Sequence, residues 1–102
     1  MTVLVDALIA ARDARAPLVE LHPPLPETVE AAYRLQSEHA ARLAARSDAR
    51  RAGWKLGATS PETQKLLGFD APFWGPILSD AVFESPARLR REDLFVCAVE
   101  AE

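Results

Sequence analysis

The residues best placed to do chemistry are two carboxylates at the end of the chain, Glu100 and Glu102, separated by one alanine. They close a run, Leu94 to Glu102, whose alternation predicts a strand with Phe95, Cys97, Val99 and Ala101 on one face. Val96, Ala98, Glu100 and Glu102 fall on the other. Side chains two apart on a strand project the same way, about 6 to 7 Å from each other. Two like charges beside an apolar run repel and lose hydration unless a cation lies between them. A hard divalent ion, Mg²⁺ or Mn²⁺, prefers carboxylate oxygen and would relieve that repulsion. The same triplet also reads as a solvated terminus whose carboxylates need no partner.

Lys55 is the second candidate. It lies in Trp54-Lys55-Leu56-Gly57-Ala58-Thr59, where period two puts Trp54, Leu56 and Ala58 on one face and Lys55, Gly57 and Thr59 on the other. Glycines at 53 and 57 allow close approach of a backbone or ligand, and a partly desolvated lysine can act as acid, base or oxyanion partner. An edge-strand lysine that discourages aggregation is the other reading. The turn Pro72-Phe73-Trp74-Gly75-Pro76 offers two adjacent aromatics, either lining an apolar pocket or plugging a small core. His22, in a proline-rich connector, and His39, on a helix, are assigned to structure or solvent. Cys97 reads as a small buried apolar side chain. No glycine-rich phosphate loop or nucleophile elbow occurs.

The elements that must hold these residues divide the chain into an alanine-rich helical front, 1–50, and a glycine- and proline-punctuated back, 51–102. Leu4, Leu8 and Ala11 recur at helical spacing behind Thr2, an available N-cap, and this helix should stop before Pro17. Residues 17–26 carry four prolines and form an extended connector. A second helix starts at Thr28, with Glu30 in its first turn, and runs to about Ser47. Its stripe is Val29, Ala32, Tyr33, Gln36, Ala40 and Leu43. After the Trp54–Thr59 strand, Ser60-Pro61 caps a short helix over 61–67 that ends at Gly68. A turn-rich stretch over 69–76 then leads to a strand over 77–83. The fold class is α+β.

Composition narrows the function. The 102 residues are 49% hydrophobic and 26% charged, which suits one compact domain and not a disordered chain. Twelve Lys and Arg against fifteen Asp and Glu leave a net charge of -3, which argues against a nucleic-acid partner. The longest apolar run, Ala7 to Ala11, is too short for a membrane span, and Asp6 spoils a signal peptide. A lone cysteine closes no internal disulfide. The expectation is a soluble, cytoplasmic protein.

Four segments in order carry a family resemblance. Ala31-Ala32-Tyr33-Arg34-Leu35-Gln36 resembles "AAYxxQ". Gly53-Trp54-Lys55-Leu56-Gly57-Ala58-Thr59-Ser60-Pro61 resembles "GxKxGxTxP". Gln64-Lys65-Leu66-Leu67-Gly68-Phe69-Asp70-Ala71-Pro72 resembles "QxxLGxDxP", and Val99-Glu100-Ala101-Glu102 resembles "xEAE". Their order is similar to the N-terminal part of the 2-keto-4-pentenoate hydratases and 4-oxalocrotonate decarboxylases of the fumarylacetoacetate hydrolase superfamily.

The resemblance implies the first strands and short helix of a mixed β-rich catalytic domain behind a helical region. It implies Glu100 and Glu102 as ligands of a divalent metal, Lys55 as an active-site residue, and Thr59, Phe73 and Trp74 around a 2-oxo acid substrate. It implies a metal-dependent hydratase of short 2-oxo or 2-hydroxydienoic acids in a homo-oligomer. Phe73 stands where hydratases of this group carry a proton-transferring aspartate, which points to a divergent substrate. A 2-oxo acid decarboxylase and an acylpyruvate-type C–C hydrolase are the alternatives within the superfamily. Family members are longer and place a third metal carboxylate later, so the expectation is a fragment inactive alone. A helical interaction module built on Val29 to Leu43, or a metal-free binding protein using Phe73 and Trp74, are the rival readings.

Overall fold

The computed structural model describes residues 2–18 and 24–101. It is a small α+β structure: three helices and a two-stranded antiparallel sheet. Helices α1 (Thr2–Ala14) and α2 (Val29–Ser47) precede strand β1 (Arg51–Gly57), helix α3 (Pro61–Leu67) and strand β2 (Phe73–Leu78). Short 3₁₀ turns follow at Ser79–Ala81 and Arg91–Asp93. The chain divides into two units, residues 1–39 with 84–102, and residues 40–83. Among the described residues no helix is long and apolar enough to cross a membrane.

The first unit is built on Leu4, Val5 and Leu35, with Leu8 and Ile9 half-buried against them. In α1, Leu4 and Leu8 belong to the expected stripe, whereas the fully buried Val5 and the half-buried Ile9 do not. In α2 the expected stripe is not the buried one, because Leu35 is buried while Val29 stays 45% exposed and Ala32 is open. An alanine-rich helix has several faces of similar hydrophobicity, and its largest apolar side chain decides which one turns inward. The start of α2 is as expected: the Thr28 hydroxyl accepts the Ala31 N–H at 3.0 Å, and Glu30 sits in the first turn.

All three helices end on a residue in the left-handed region: Arg15 (φ 49°), Asp48 (φ 52°) and Gly68 (φ 69°). In α1 the Arg15 N–H donates to the Arg12 carbonyl and the Ala16 N–H to the Ala11 carbonyl, both at 3.1 Å. In α3 the Gly68 N–H reaches the Lys65 carbonyl at 3.3 Å and the Phe69 N–H the Gln64 carbonyl at 2.9 Å. This is the Schellman pattern, and the Ala49 N–H to Ala44 carbonyl bond of 2.9 Å repeats its longer arm after α2. Only the third of these ends carries the glycine that announces it.

In the second unit β1 begins three residues before its expected start at Trp54 and stops at Gly57, because Ala58 turns to φ 52°. The second strand is not 77–83 but Phe73–Leu78, which pairs with β1, so the stretch expected as an aromatic turn is itself a strand. Both strands of a two-stranded sheet are edges, which is where a proline such as Pro76 is tolerated. The ladder pairs Gly57 with Phe73, Leu56 with Trp74, Lys55 with Gly75, Trp54 with Pro76, Gly53 with Ile77 and Arg51 with Leu78. The step from Arg51 to Gly53 against adjacent partners is a β-bulge at Ala52. Beyond it the Ser79 N–H donates to the Arg50 carbonyl at 2.7 Å, and the Arg50 N–H to the Ser79 hydroxyl at 3.0 Å. The Ser47 hydroxyl donates to the Asp80 carboxylate at 2.7 Å, fastening the end of α2 to the end of the hairpin.

The strand expected over 94–102 is absent from the described residues 94–101. After the Arg91–Asp93 turn the chain is irregular, and the Ala98 N–H donates to the Val96 carbonyl at 3.2 Å, a tight turn that breaks the alternation at Cys97. Cys97 is exposed rather than buried, and Val99 is 98% exposed. Alternation only selects which faces a strand would present; without a neighbouring strand nothing satisfies its backbone and no ladder forms.

Candidate functional site

The sheet presents two chemically different faces. Because neighbours in a strand alternate, Lys55 shares its face with Gly53 and Gly57, and Gly75 is directly opposite. The three nearest positions around the lysine therefore carry no side chain. Phe73 closes one end of this strip and Ile77 the other.

Gly57 is required there by contact. A Cβ at this position would lie 2.5 Å from Cε2 and 2.9 Å from Cζ of Phe73, so the ring lies across the glycine. Phe69 meets Phe73 edge-on, centroids 5.9 Å apart and planes at 82°. Lys55 itself is exposed.

The turn leaving this strip is locally determined. Ala58 is buried, and its carbonyl accepts the Gln64 side-chain amide at 2.9 Å. Ser60 caps α3: its hydroxyl accepts the Thr63 N–H at 3.2 Å, and Pro61 takes the first helical position. Thr59 lies exposed between the buried alanine and the cap.

The candidate pocket residues do not share one face. Phe73 is on the Lys55 side, whereas Trp74, paired with Leu56, is on the other with Trp54. The bulge at Ala52 also moves Arg51 to the Trp54 face, where its guanidinium carbon stands 4.5 Å from the indole centroid. Sequence reasoning missed this contact, because strict alternation from Lys55 puts Arg51 on the lysine face.

Glu100 belongs to the unit of residues 1–39 and 84–102 and is exposed in the irregular stretch; Glu102 and His22 lie outside the described residues. Among the described residues no three His, Cys, Asp or Glu side chains converge on a point. Carboxylate oxygen is the right donor for Mg²⁺ or Mn²⁺, but two carboxylates fall short of the six oxygens such an ion takes. The donor chemistry fits and the donor number does not.

The same unit holds a hollow of about 590 Å³ at the C-terminal end of α1, with Arg12, Arg15, Asp93 and Phe95 in its lining. Arg15 and Asp93 pair across it at 3.2 Å, both half-exposed. Nearby, both Nε and Nη2 of Arg90 donate to one oxygen of Glu92, at 3.1 and 2.6 Å. That guanidinium, helped by a backbone N–H, holds the Glu92 carboxyl below the usual glutamate range. No family model, curated protein or solved structure matches the chain.

Proposed function

We propose that the chain supplies one wall of the active site of a metal-dependent hydratase-like enzyme acting on short 2-oxo or 2-hydroxydienoic acids. The observation that carries the reading is the glycine-lined strip: Lys55 between Gly53 and Gly57, opposite Gly75, with a capped turn fixing the strand's exit. Several residues of the "GxKxGxTxP" and "QxxLG" segments have a local structural task. Gly57 makes room for Phe73, Ser60 and Pro61 start α3, Gln64 ties it to Ala58, and Gly68 ends it.

In this reading Glu100 and Glu102 would be two of the oxygen donors to a divalent cation, which when bound would supply Lewis acidity. Lys55 orients the acid and offers positive charge to the oxygen that becomes negative. Phe73 walls the apolar side of the strip, and Thr59 stands at the turn beside it. Because Phe73 occupies the position of the hydratases' aspartate, proton handling on this face falls to Lys55. That feature favours a decarboxylase or an acylpyruvate-type C–C hydrolase as the second reading, since neither needs that aspartate to hydrate a double bond. The enzyme is proposed to work in the cytoplasm without nucleic acid or membrane.

The test is turnover of a 2-hydroxydienoic acid by the full gene product with Mg²⁺ or Mn²⁺. Lys55→Ala and Glu100→Gln should each lower kcat/KM by about 10²-fold or more. Wild-type rates in either variant remove that residue from the mechanism, and wild-type rates in both overturn the reading.

A further inference from the structure

The hollow at the C-terminal end of α1 lies within the first unit, and its lining mixes charge with apolar surface. At about 590 Å³ it falls in the range of roughly 300–1,000 Å³ that small-molecule sites occupy. Its apolar part includes Leu94 and Phe95, which keep 38% and 58% of their surface exposed. Its charged part is Arg12, Asp13, Arg15 and Asp93.

Most of that charge is already engaged. Arg15 donates through Nη2 to the Asp93 carboxylate at 3.2 Å and through Nη1 to the Asp13 carbonyl at 3.4 Å, and Asp13 is not otherwise free. The helix end is satisfied too. A helix leaves its last carbonyls open, but here those of Ala11 and Arg12 accept the Ala16 and Arg15 N–H groups at 3.1 Å. Among the described residues, Arg12 is the charged lining residue whose side chain makes no hydrogen bond or ion pair. One uncommitted guanidinium and one exposed phenyl ring thus share the hollow.

We propose that this hollow binds a small organic acid with one negative charge and an apolar body, of which an aromatic monocarboxylate is the simplest case. The planar fork of Arg12 matches a carboxylate with two parallel hydrogen bonds. The acids in the lining set the charge class: Asp13 and Asp93 repel a second negative charge, which Arg12 alone does not offset, so a dianion is disfavoured. Leu94 and Phe95 take the apolar body, which covers surface now exposed to water. The hollow is open to solvent, so binding is weak, with Kd on the order of 1 mM. The proposal does not rest on the metal chemistry above, because Lys55 belongs to the other unit.

Benzoate titrated into the whole chain tests the assignment, followed by the arginine Nε–H signals and the Phe95 ring signals in NMR spectra. The Arg12 and Phe95 signals should move together and saturate with one Kd, on the order of 1 mM. Acetate, which lacks the ring, and benzamide, which lacks the charge, should each bind about ten-fold more weakly or worse, and phenyl phosphate should also bind more weakly than benzoate. Arg12→Gln, at an exposed helical position, should keep the far-ultraviolet dichroism and weaken benzoate binding about ten-fold. Phe95→Ala should weaken it several-fold, and Lys55→Ala should leave it unchanged. No shift of these signals up to about 20 mM benzoate overturns the proposal, as does binding that Arg12→Gln leaves intact. Acetate or phenyl phosphate binding as tightly as benzoate overturns the ligand class, and loss of binding in Lys55→Ala assigns the acid to the strip on the sheet instead.

Discussion

Replacing Gly57 by alanine tests whether the bare strip around Lys55 is maintained by contact or is incidental. The backbone at Gly57 is ordinary, so an alanine is forbidden there only by Phe73, whose ring atoms would lie 2.5, 2.9 and 3.2 Å from the new methyl. Restoring ordinary contact moves the ring by about 1 Å and breaks its edge-on pairing with Phe69, a loss of about 0.5–1.5 kcal/mol. Strained rotamers add a similar amount, for about 1–3 kcal/mol of overpacking in all. Against this, alanine in a strand gains about 0.5–1 kcal/mol over glycine. The net effect of Gly57→Ala is a destabilisation of about 1 kcal/mol. In a Phe73→Ala background the obstacle is gone and the same substitution should stabilise by about 0.5–1 kcal/mol, reversing its sign. The coupling of about 1.5–2 kcal/mol is well beyond the non-additivity of independent sites. Urea unfolding of the four proteins measures it. Equal effects of Gly57→Ala in both backgrounds would mean that the Phe73 ring is not what excludes a side chain at Gly57.

Two further outcomes follow from local geometry. Asp48→Gly removes the cost of a side chain at φ 52° and should stabilise α2 by about 0.5–1 kcal/mol, read as a higher urea midpoint at unchanged slope. Glu92, held low by Arg90, should titrate below an ordinary glutamate in carboxyl ¹³C spectra, and Arg90→Ala should raise its midpoint. The folded-state value is the depressed one. The pair's contribution is therefore present above the unfolded-state pKa and lost as pH falls through the folded-state one.

Much of the local structure is written in single residues. Thr28 before an alanine-rich run, Ser60-Pro61 and Gly68 each name a helix end, and the caps form where they stand. What the residues do not write is pairing. Nothing in Phe73-Trp74-Gly75-Pro76-Ile77-Leu78 says that it will meet 51–57, and two prolines around two aromatics read as a turn. One bulge at Ala52 is enough to carry Arg51 to the other face. The left-handed ends at Arg15 and Asp48 are hidden for a related reason: the Schellman bonds are backbone bonds, available to any residue that accepts the strain. The alternation of Leu94 to Ala101 is genuine, but it states a preference that only a partner strand can realise. The same holds at the candidate site. The lysine strip is legible from its glycines, whereas the separation of Phe73 from Trp74 needs the register.

Turnover of a 2-hydroxydienoic acid by the full gene product is the measurement on which the proposed function rests. A rate that falls by about 10²-fold or more in Lys55→Ala is the expected result. A rate that Lys55→Ala leaves unchanged removes the lysine, and with it the proposed function.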